Sequence, residues 1–239
     1  MDFLGKTALI TGAGRGIGAA CAMLFAKNGA QVVINDLESS KLIEITDRMR
    51  MMKAECLAFP CNVADESSVK TMVEKAEERY GKIDILINNA GIFRVNYQPF
   101  LTQKSDHWKL KIDVNILGTM YCTHAVLPGM VKRRYGKIVN LSSVAGVYGL
   151  RNMIDYSMTK GAIISFTKAL AKEMGQYGIN INAVSPGNIS TYQELPELSF
   201  LERSGSAEEC ANVIAFLASD RASFVSGQNY IVDGCRKTM

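Results

Sequence analysis

The sequence predicts an α/β fold: one doubly wound, seven-stranded parallel sheet with helices on both faces, folded as a single domain over residues 1–239. Short apolar runs alternate with amphipathic stretches along most of the chain, the pattern of strands joined by crossover helices. Several of those runs are apolar at every position, as strands covered on both faces are. No linker, repeat or low-complexity segment interrupts a length that one large domain can hold.

The strands are read over residues 7–10, 31–35, 56–59, 83–88, 137–141, 179–184 and 229–232. The first helix, 17–28, is stopped by Asn28-Gly29. Helices over 39–53 and 66–80 follow, the second opening on acidic residues and ending at Gly81. A long helix is read over 105–132 and another over 156–177, stopped near Gly178. The last, 207–219, begins after Ser206, an N-cap with Glu208 and Glu209 in the first turn. Residues 188–205 are the least regular stretch. They follow the sixth strand, and open α/β sheets bind ligands beyond the carboxyl ends of their strands. They are therefore read as a substrate lid.

Composition excludes several functions. Hydrophobic residues make up 48% and charged residues 21%, an ordinary globular mix. The 27 basic and 23 acidic residues leave a net charge of +4, too small to argue for nucleic acid or an acidic membrane. Lys132-Arg133-Arg134 and Arg236-Lys237 read as solvated charges at a helix end and the tail. None of the six cysteines forms a C-x-x-C pair, and with only His107 and His124 in the chain no zinc-type spacing exists, so no metal site is expected. No run approaches the roughly 18–20 apolar residues of a membrane span, and no signal segment is read. The expected location is cytoplasmic, with reduced thiols.

The first strand runs into Thr11-Gly12-Ala13-Gly14-Arg15-Gly16-Ile17-Gly18, and a helix follows. Glycines let backbone N–H groups approach a pyrophosphate, and the helix N-terminus adds its dipole. The spacing G-x-x-x-G-x-G is not the usual G-x-G-x-x-G, so its place between strand and helix carries the reading. Asp36 ends the second strand, 20 residues past Gly16, where an acid binds the ribose hydroxyls of NAD. A carboxylate there repels the extra phosphate of NADP, whereas Arg15 could greet it. Asp36 is weighted more heavily, and NAD is the expected cofactor, with NADP second.

Tyr156 and Lys160 stand four apart at the start of a helix, on one face. A phenol ionises near pH 10, and a neighbouring ammonium favours the phenolate. Tyr156 can then exchange a proton with an alcohol or carbonyl oxygen. Ser143 follows the fifth strand, 13 residues before Tyr156, where its hydroxyl can hold that oxygen or merely cap a turn.

With these residues in place the sequence closely resembles the short-chain dehydrogenase/reductase family, a Rossmann-fold family, over nearly its whole length. Thr11–Gly18 is similar to the family's T-G-x-x-x-G-I-G loop and Asn88-Asn89-Ala90-Gly91 to its N-N-A-G. Asn115 matches its helix asparagine, and Ser143, Tyr156 and Lys160 its serine and Y-x-x-x-K. Pro186-Gly187-Asn188-Ile189-Ser190-Thr191 matches P-G-x-I-x-T, and Val232-Asp233-Gly234 its closing motif. The resemblance implies a catalytic group of Ser143, Tyr156, Lys160 and Asn115, with Tyr156 as acid/base and Asn115 holding a water in the proton relay. It implies a dinucleotide site from Gly12, Arg15, Gly16, Ile17, Gly18, Asp36, Leu37, Asn62, Val63, Asn89, Ala90, Gly91, Tyr156, Lys160, Pro186, Gly187, Ile189 and Thr191. Asn62 stands where an aspartate is usual, and Cys235 where a second glycine is usual. The segment after Thr191 is shorter than is common.

The expected function is hydride transfer between NAD(H) and a secondary alcohol or ketone. The nearest subgroup is the bacterial 3-oxoacyl-acyl-carrier-protein reductases and their NAD-dependent relatives, and an NADPH-dependent reductase of that kind is the alternative. An alternative of another class is a non-catalytic nucleotide-binding regulatory or structural subunit. Candidate substrate-lining residues are Phe93, Val144, Tyr148, Met153, Ile154, Tyr192 and Leu195. A carrier-protein patch would draw on Lys104, Lys109, Lys111, Arg133 and Arg151. The resemblance also implies a homodimer or homotetramer, packed through the helices that carry Asn115 and Tyr156.

Overall fold

Strands and helices alternate as the apolar pattern predicts. A computed structural model describes residues 2–93, 98–190 and 194–237. The strands are β1 (Thr7–Thr11), β2 (Gln31–Asp36), β3 (Cys56–Pro60), β4 (Ile85–Asn88), β5 (Gly136–Leu141), β6 (Ile179–Pro186) and β7 (Asn229–Val232). They form one parallel sheet in the order β3-β2-β1-β4-β5-β6-β7. The order reverses between β1 and β4, which opens a crevice at their carboxyl ends.

Side chains alternate across the pleat and fill two cores. On one face Ile10, Ile34, Ile87, Val139 and Val184 pack with Phe25 of α1 (Gly16–Lys27) and Ile214 of α8 (Ala207–Ala218). On the other, Leu9, Val33, Leu86, Ile138 and Ile181 meet Met72 of α3 (Glu66–Tyr80), Val126 of α5 (Gly118–Arg133) and Met174 of α7 (Ile154–Met174). The remaining helices are α2 (Ser39–Met51), α4 (Ser105–Lys111) and α6 (Val144–Tyr148). Caps follow local chemistry: Asp65 accepts from Ser67 and Ser68 N–H, and Ser206 and Glu209 form a reciprocal capping box.

Two elements differ from the sequence reading. The helix expected over 105–132 is divided by a wide π turn, Ile112–Leu117, that contains Asn115. Apolar spacing does not report a one-residue insertion in a helical turn. The second is α6, five residues long and capped by Ser143, too short to show a period.

The stretch 188–205 is better braced than its composition predicts. Ser190 N–H donates to Gly205 O at 2.8 Å, and Gly205 N–H to Asn188 O at 3.0 Å. A short turn, Pro196–Leu198, then leads to residues pinned by the C-terminal tail. Phe200 N–H donates to Cys235 O at 2.9 Å, and Lys237 N–H to Leu198 O at 2.9 Å. Cys235 holds a φ of +58°, a conformation that costs a non-glycine residue roughly 1–2 kcal/mol. Thr191 and Tyr192 lie outside the described residues.

Candidate active site

A cleft of about 510 Å³ lies along the carboxyl ends of the strands, within the range of cofactor sites. Its floor is the glycine loop. Gly12 holds a φ of +63°, and a Cβ there would stand 2.8 Å from Ala90 Cα, so only glycine fits. Asn89 braces this loop: its amide donates to Thr11 O at 3.0 Å and Gly12 O at 2.8 Å. Thr11 Oγ1 in turn accepts from Asn89 N–H and Ala90 N–H. Gly18 sits beneath the lining, against Gly12 O and the Asn89 amide.

Asp36 reaches the cleft from the end of β2. Its Oδ2 accepts from Gly14 N–H at 3.0 Å and its Oδ1 from Glu38 N–H at 3.2 Å. The carboxylate is therefore tied both to the glycine loop and to the start of α2. Leu37, Asn62, Val63, Ala90, Gly91, Pro186, Gly187 and Ile189 also line the cleft, as do Arg15, Gly16 and Ile17. Asn62 Oδ1 accepts from Ala64 N–H at 3.0 Å, so part of its acceptor capacity serves the local turn.

At the other end Ser143, Tyr156 and Lys160 share one wall. Ser143 Oγ accepts from Ala145 N–H at 3.1 Å, which makes it the cap of α6. Capping uses a lone pair and leaves the O–H proton to donate, so the two readings of Ser143 are compatible. The Tyr156 ring meets Phe93 edge-on, with centroids 5.1 Å apart. Lys160 Nζ stands 5.8 Å from the Tyr156 ring centroid and donates to Leu141 O at 2.7 Å. Ser142 Oγ donates to Lys160 O, and Gly146 allows α6 to rest directly on the Lys160 backbone.

Asn115 stands behind this wall rather than lining it. Its Oδ1 accepts from Ile92 N–H at 2.7 Å, and its Nδ2 donates to Ile92 O and Thr159 Oγ1, both at 3.1 Å. Its side-chain amide thus ties the π turn to α7 and to the segment after β4. Of the apolar candidates, Phe93, Val144 and Leu195 line the cleft, and Met153 packs behind Tyr156. Tyr148 and Ile154 are exposed outside it. Leu150, Leu198 and Arg236 also line it. Arg236 corrects the reading of the tail pair as solvated charges. Lys111 and Arg133 correct the basic patch: Lys111 is buried against Asp155, and Arg133 donates to Ile83 O.

Burial without a counter-charge pulls Lys160 from 10.5 down to about 8. Its folded value lies below its unfolded one, so the unfolded chain binds more protons between the two. Stability therefore rises with pH from about 8 to 10.5. The fall is worth about 3 kcal/mol. Lys160→Met removes this cost, while the lost bond to Leu141 O offsets part of the gain equally at every pH. Urea denaturation is expected to show the stability difference between variant and wild type shifting by about 3 kcal/mol in favour of wild type as pH rises through that window. A pH-independent difference would refute the buried charge.

A family model described as enoyl-(acyl carrier protein) reductase matches residues 12–235. A curated 3-oxoacyl-acyl-carrier-protein reductase from Thermotoga maritima is 40% identical over 244 residues, spanning 98% of each chain.

The chain belongs to the short-chain dehydrogenase/reductase family.

A second 3-oxoacyl-acyl-carrier-protein reductase, from Synechocystis, is 39% identical and covers 96% of each chain. The crystal structure of levodione reductase superposes with a TM-score of 0.92 at 32% identity, over 97% of each chain. The protein is therefore an NAD(P)-dependent oxidoreductase acting on a CH–OH or keto group, on a Rossmann-like sheet.

Proposed function

We propose that this short-chain dehydrogenase/reductase interconverts a secondary alcohol and a ketone with NAD(H) preferred. The observation that carries the reading is one continuous cleft with Asp36 and the glycine loop at one end and Ser143, Tyr156 and Lys160 at the other. The glycine loop fits a pyrophosphate, because its backbone is bare where a Cβ would intrude. The bound nicotinamide dinucleotide supplies or accepts the hydride. Tyr156 gives a proton to the carbonyl oxygen in reduction and takes it back in oxidation. Ser143 donates a hydrogen bond to that oxygen, and the Lys160 ammonium favours the phenolate. Asn115 is a positioning residue, holding Ile92 and α7 in register. Thr191 is assigned to the cofactor by resemblance alone.

Asp36 supports the NAD preference, since a second negative charge beside its carboxylate is repelled. Nicotinamide fluorescence titration is expected to give NADH a Kd at least about tenfold below that of NADPH, about 1.4 kcal/mol. Asp36→Ser narrows that gap. NADPH binding as tightly as NADH would overturn the preference.

The named relatives support a second reading, a 3-oxoacyl thioester on a carrier protein. Only Lys104, Lys109 and Arg151 of the basic candidates are exposed to meet an acidic partner, which makes a small free substrate the first choice.

Exposed Leu110 and Met120 on α4 and α5, and Ile154 and Met158 on α7, support pairing of two copies through these helices. Light scattering at micromolar concentration should give a dimer or tetramer. A monomer would refute the assembly. No helix among the described residues is long and apolar enough to cross a membrane. A cytoplasmic location is part of this proposal.

A further inference from the structure

Three buried side-chain polar atoms among the described residues lack a hydrogen-bond partner: Asn88 Oδ1, Arg133 Nε and Arg236 Nε. Only Arg236 belongs to a residue that lines the cleft. Arg236 as a whole is half-buried, with its Nε removed from solvent, and its guanidinium carries five donors in a planar fork that matches a carboxylate.

The backbone of Arg236 is fixed in place. It pairs with Ser199 in an antiparallel bridge, flanked by the Phe200–Cys235 and Lys237–Leu198 hydrogen bonds. Gly187 packs against Asp233, which seats the tail beside the end of β6. Arg236 thus faces the cleft from the lid side, with Leu195 and Leu198 as apolar neighbours on the lining.

Among the described residues no acid forms a salt bridge with it. Asp233 accepts from Cys235 N–H, Glu202 pairs with Lys237, and Glu209 holds Arg203 through two bonds. Glu194 and Glu197 on the lid are exposed, and neither forms a salt bridge with it.

Two anions could meet this fork: the dinucleotide's pyrophosphate or a charged group on the substrate. The glycine loop follows β1, and the tail follows β7. Four strand spacings separate them, roughly 19 Å at about 4.8 Å each. That separation favours the substrate.

We propose that Arg236 is a specificity residue and that the substrate is an oxo acid or hydroxy acid whose carboxylate it receives. The inference rests on the alcohol–ketone reading of the same cleft and names its substrate class.

Two measurements test it on the full chain loaded with whichever of NADH and NADPH binds more tightly. In the first, linear monocarboxylates of two to eight carbons and the matching amides are titrated and followed by nicotinamide fluorescence. At least one carboxylate is expected to bind wild type about tenfold or more tightly than its amide. Arg236→Met, which keeps an apolar stem of similar reach, erases that difference and leaves the cofactor Kd within about twofold. In the second, oxo acids and their methyl esters are compared as substrates. Arg236→Met is expected to lower kcat/KM for the acid about a hundredfold and for the ester by no more than about twofold.

Equal binding of every carboxylate and its amide by wild type overturns the proposal. So does retention of the difference in Arg236→Met. A tenfold loss of cofactor affinity, with acid and ester falling together, assigns the guanidinium to the pyrophosphate instead. Carboxylate selectivity in binding, without turnover of any acid or ester, would leave Arg236 standing and refute the alcohol–ketone reading.

Discussion

Tyr156→Phe is expected to lower kcat by about a thousandfold or more while leaving the Kd for NADH within about twofold. The variant deletes one oxygen and keeps the ring. That ring packs with Ala145 and Met153 and meets Phe93 edge-on, so the cleft wall survives the change. What is lost is the hydroxyl proposed to move a proton at the substrate oxygen, a contribution of about 10²–10⁴ in rate. Lys160 and Ser143 remain, but neither replaces it. Lys160 Nζ is held at Leu141 O, and Ser143 Oγ is held at the start of α6. Stopped-flow single turnover separates the chemical step from binding. A single-turnover rate within tenfold of wild type would remove Tyr156 from the acid/base role. Ser143→Ala should fall between the two, since the lost hydrogen bond only orients and stabilises the oxygen.

The sheet and its helices were legible because the central strands bury runs of apolar residues and amphipathic stretches lie between the strands. The glycine loop, Asp36, Ser143, Tyr156 and Lys160 were legible because their chemistry depends on local spacing. Other parts were hidden for a physical reason: their meaning depends on partners far along the chain. Arg236 reads as a tail charge until its pairing with Ser199 turns it toward the cleft. Asn115 shows nothing in sequence of the bonds its amide makes to Ile92 and Thr159. The π turn around it leaves no trace in apolar spacing, since the residues on both sides remain helical. The lid read as loose because its sequence shows only a short apolar pattern around residues 195–201, broken by Pro196 and closed by Gly205, whereas backbone bonds to the tail hold its described part.

Lys111 is the clearest case of this kind, and it carries the second large effect. In sequence it is one of several basic candidates for a carrier-protein patch. In the fold its ammonium and the Asp155 carboxylate are both 3% exposed and lie 2.6 Å apart. The other oxygen of Asp155 accepts from Tyr156 N–H at 2.8 Å, in the first turn of α7. The pair therefore joins α4 to Tyr156, the proposed acid/base. Lys111→Met leaves the carboxylate buried without its counter-charge, and breaking such a pair costs about 3–5 kcal/mol. For a chain of this size each kcal/mol is worth about 2–4 °C, so Tm should fall by roughly 6–20 °C. The double change Lys111→Met with Asp155→Leu removes both charges and should recover most of that loss, because the pair has little net value against a well-packed apolar replacement. Activity should not recover with it. Without Asp155 the Tyr156 N–H loses its acceptor and the first turn of α7 its anchor. The double variant is therefore expected to be nearly as stable as wild type, with kcat lowered and the cofactor Kd little changed. A single Lys111→Met variant that melts within about 2 °C of wild type, less than the worth of 1 kcal/mol, would show that the ion pair is not what holds α4 to α7.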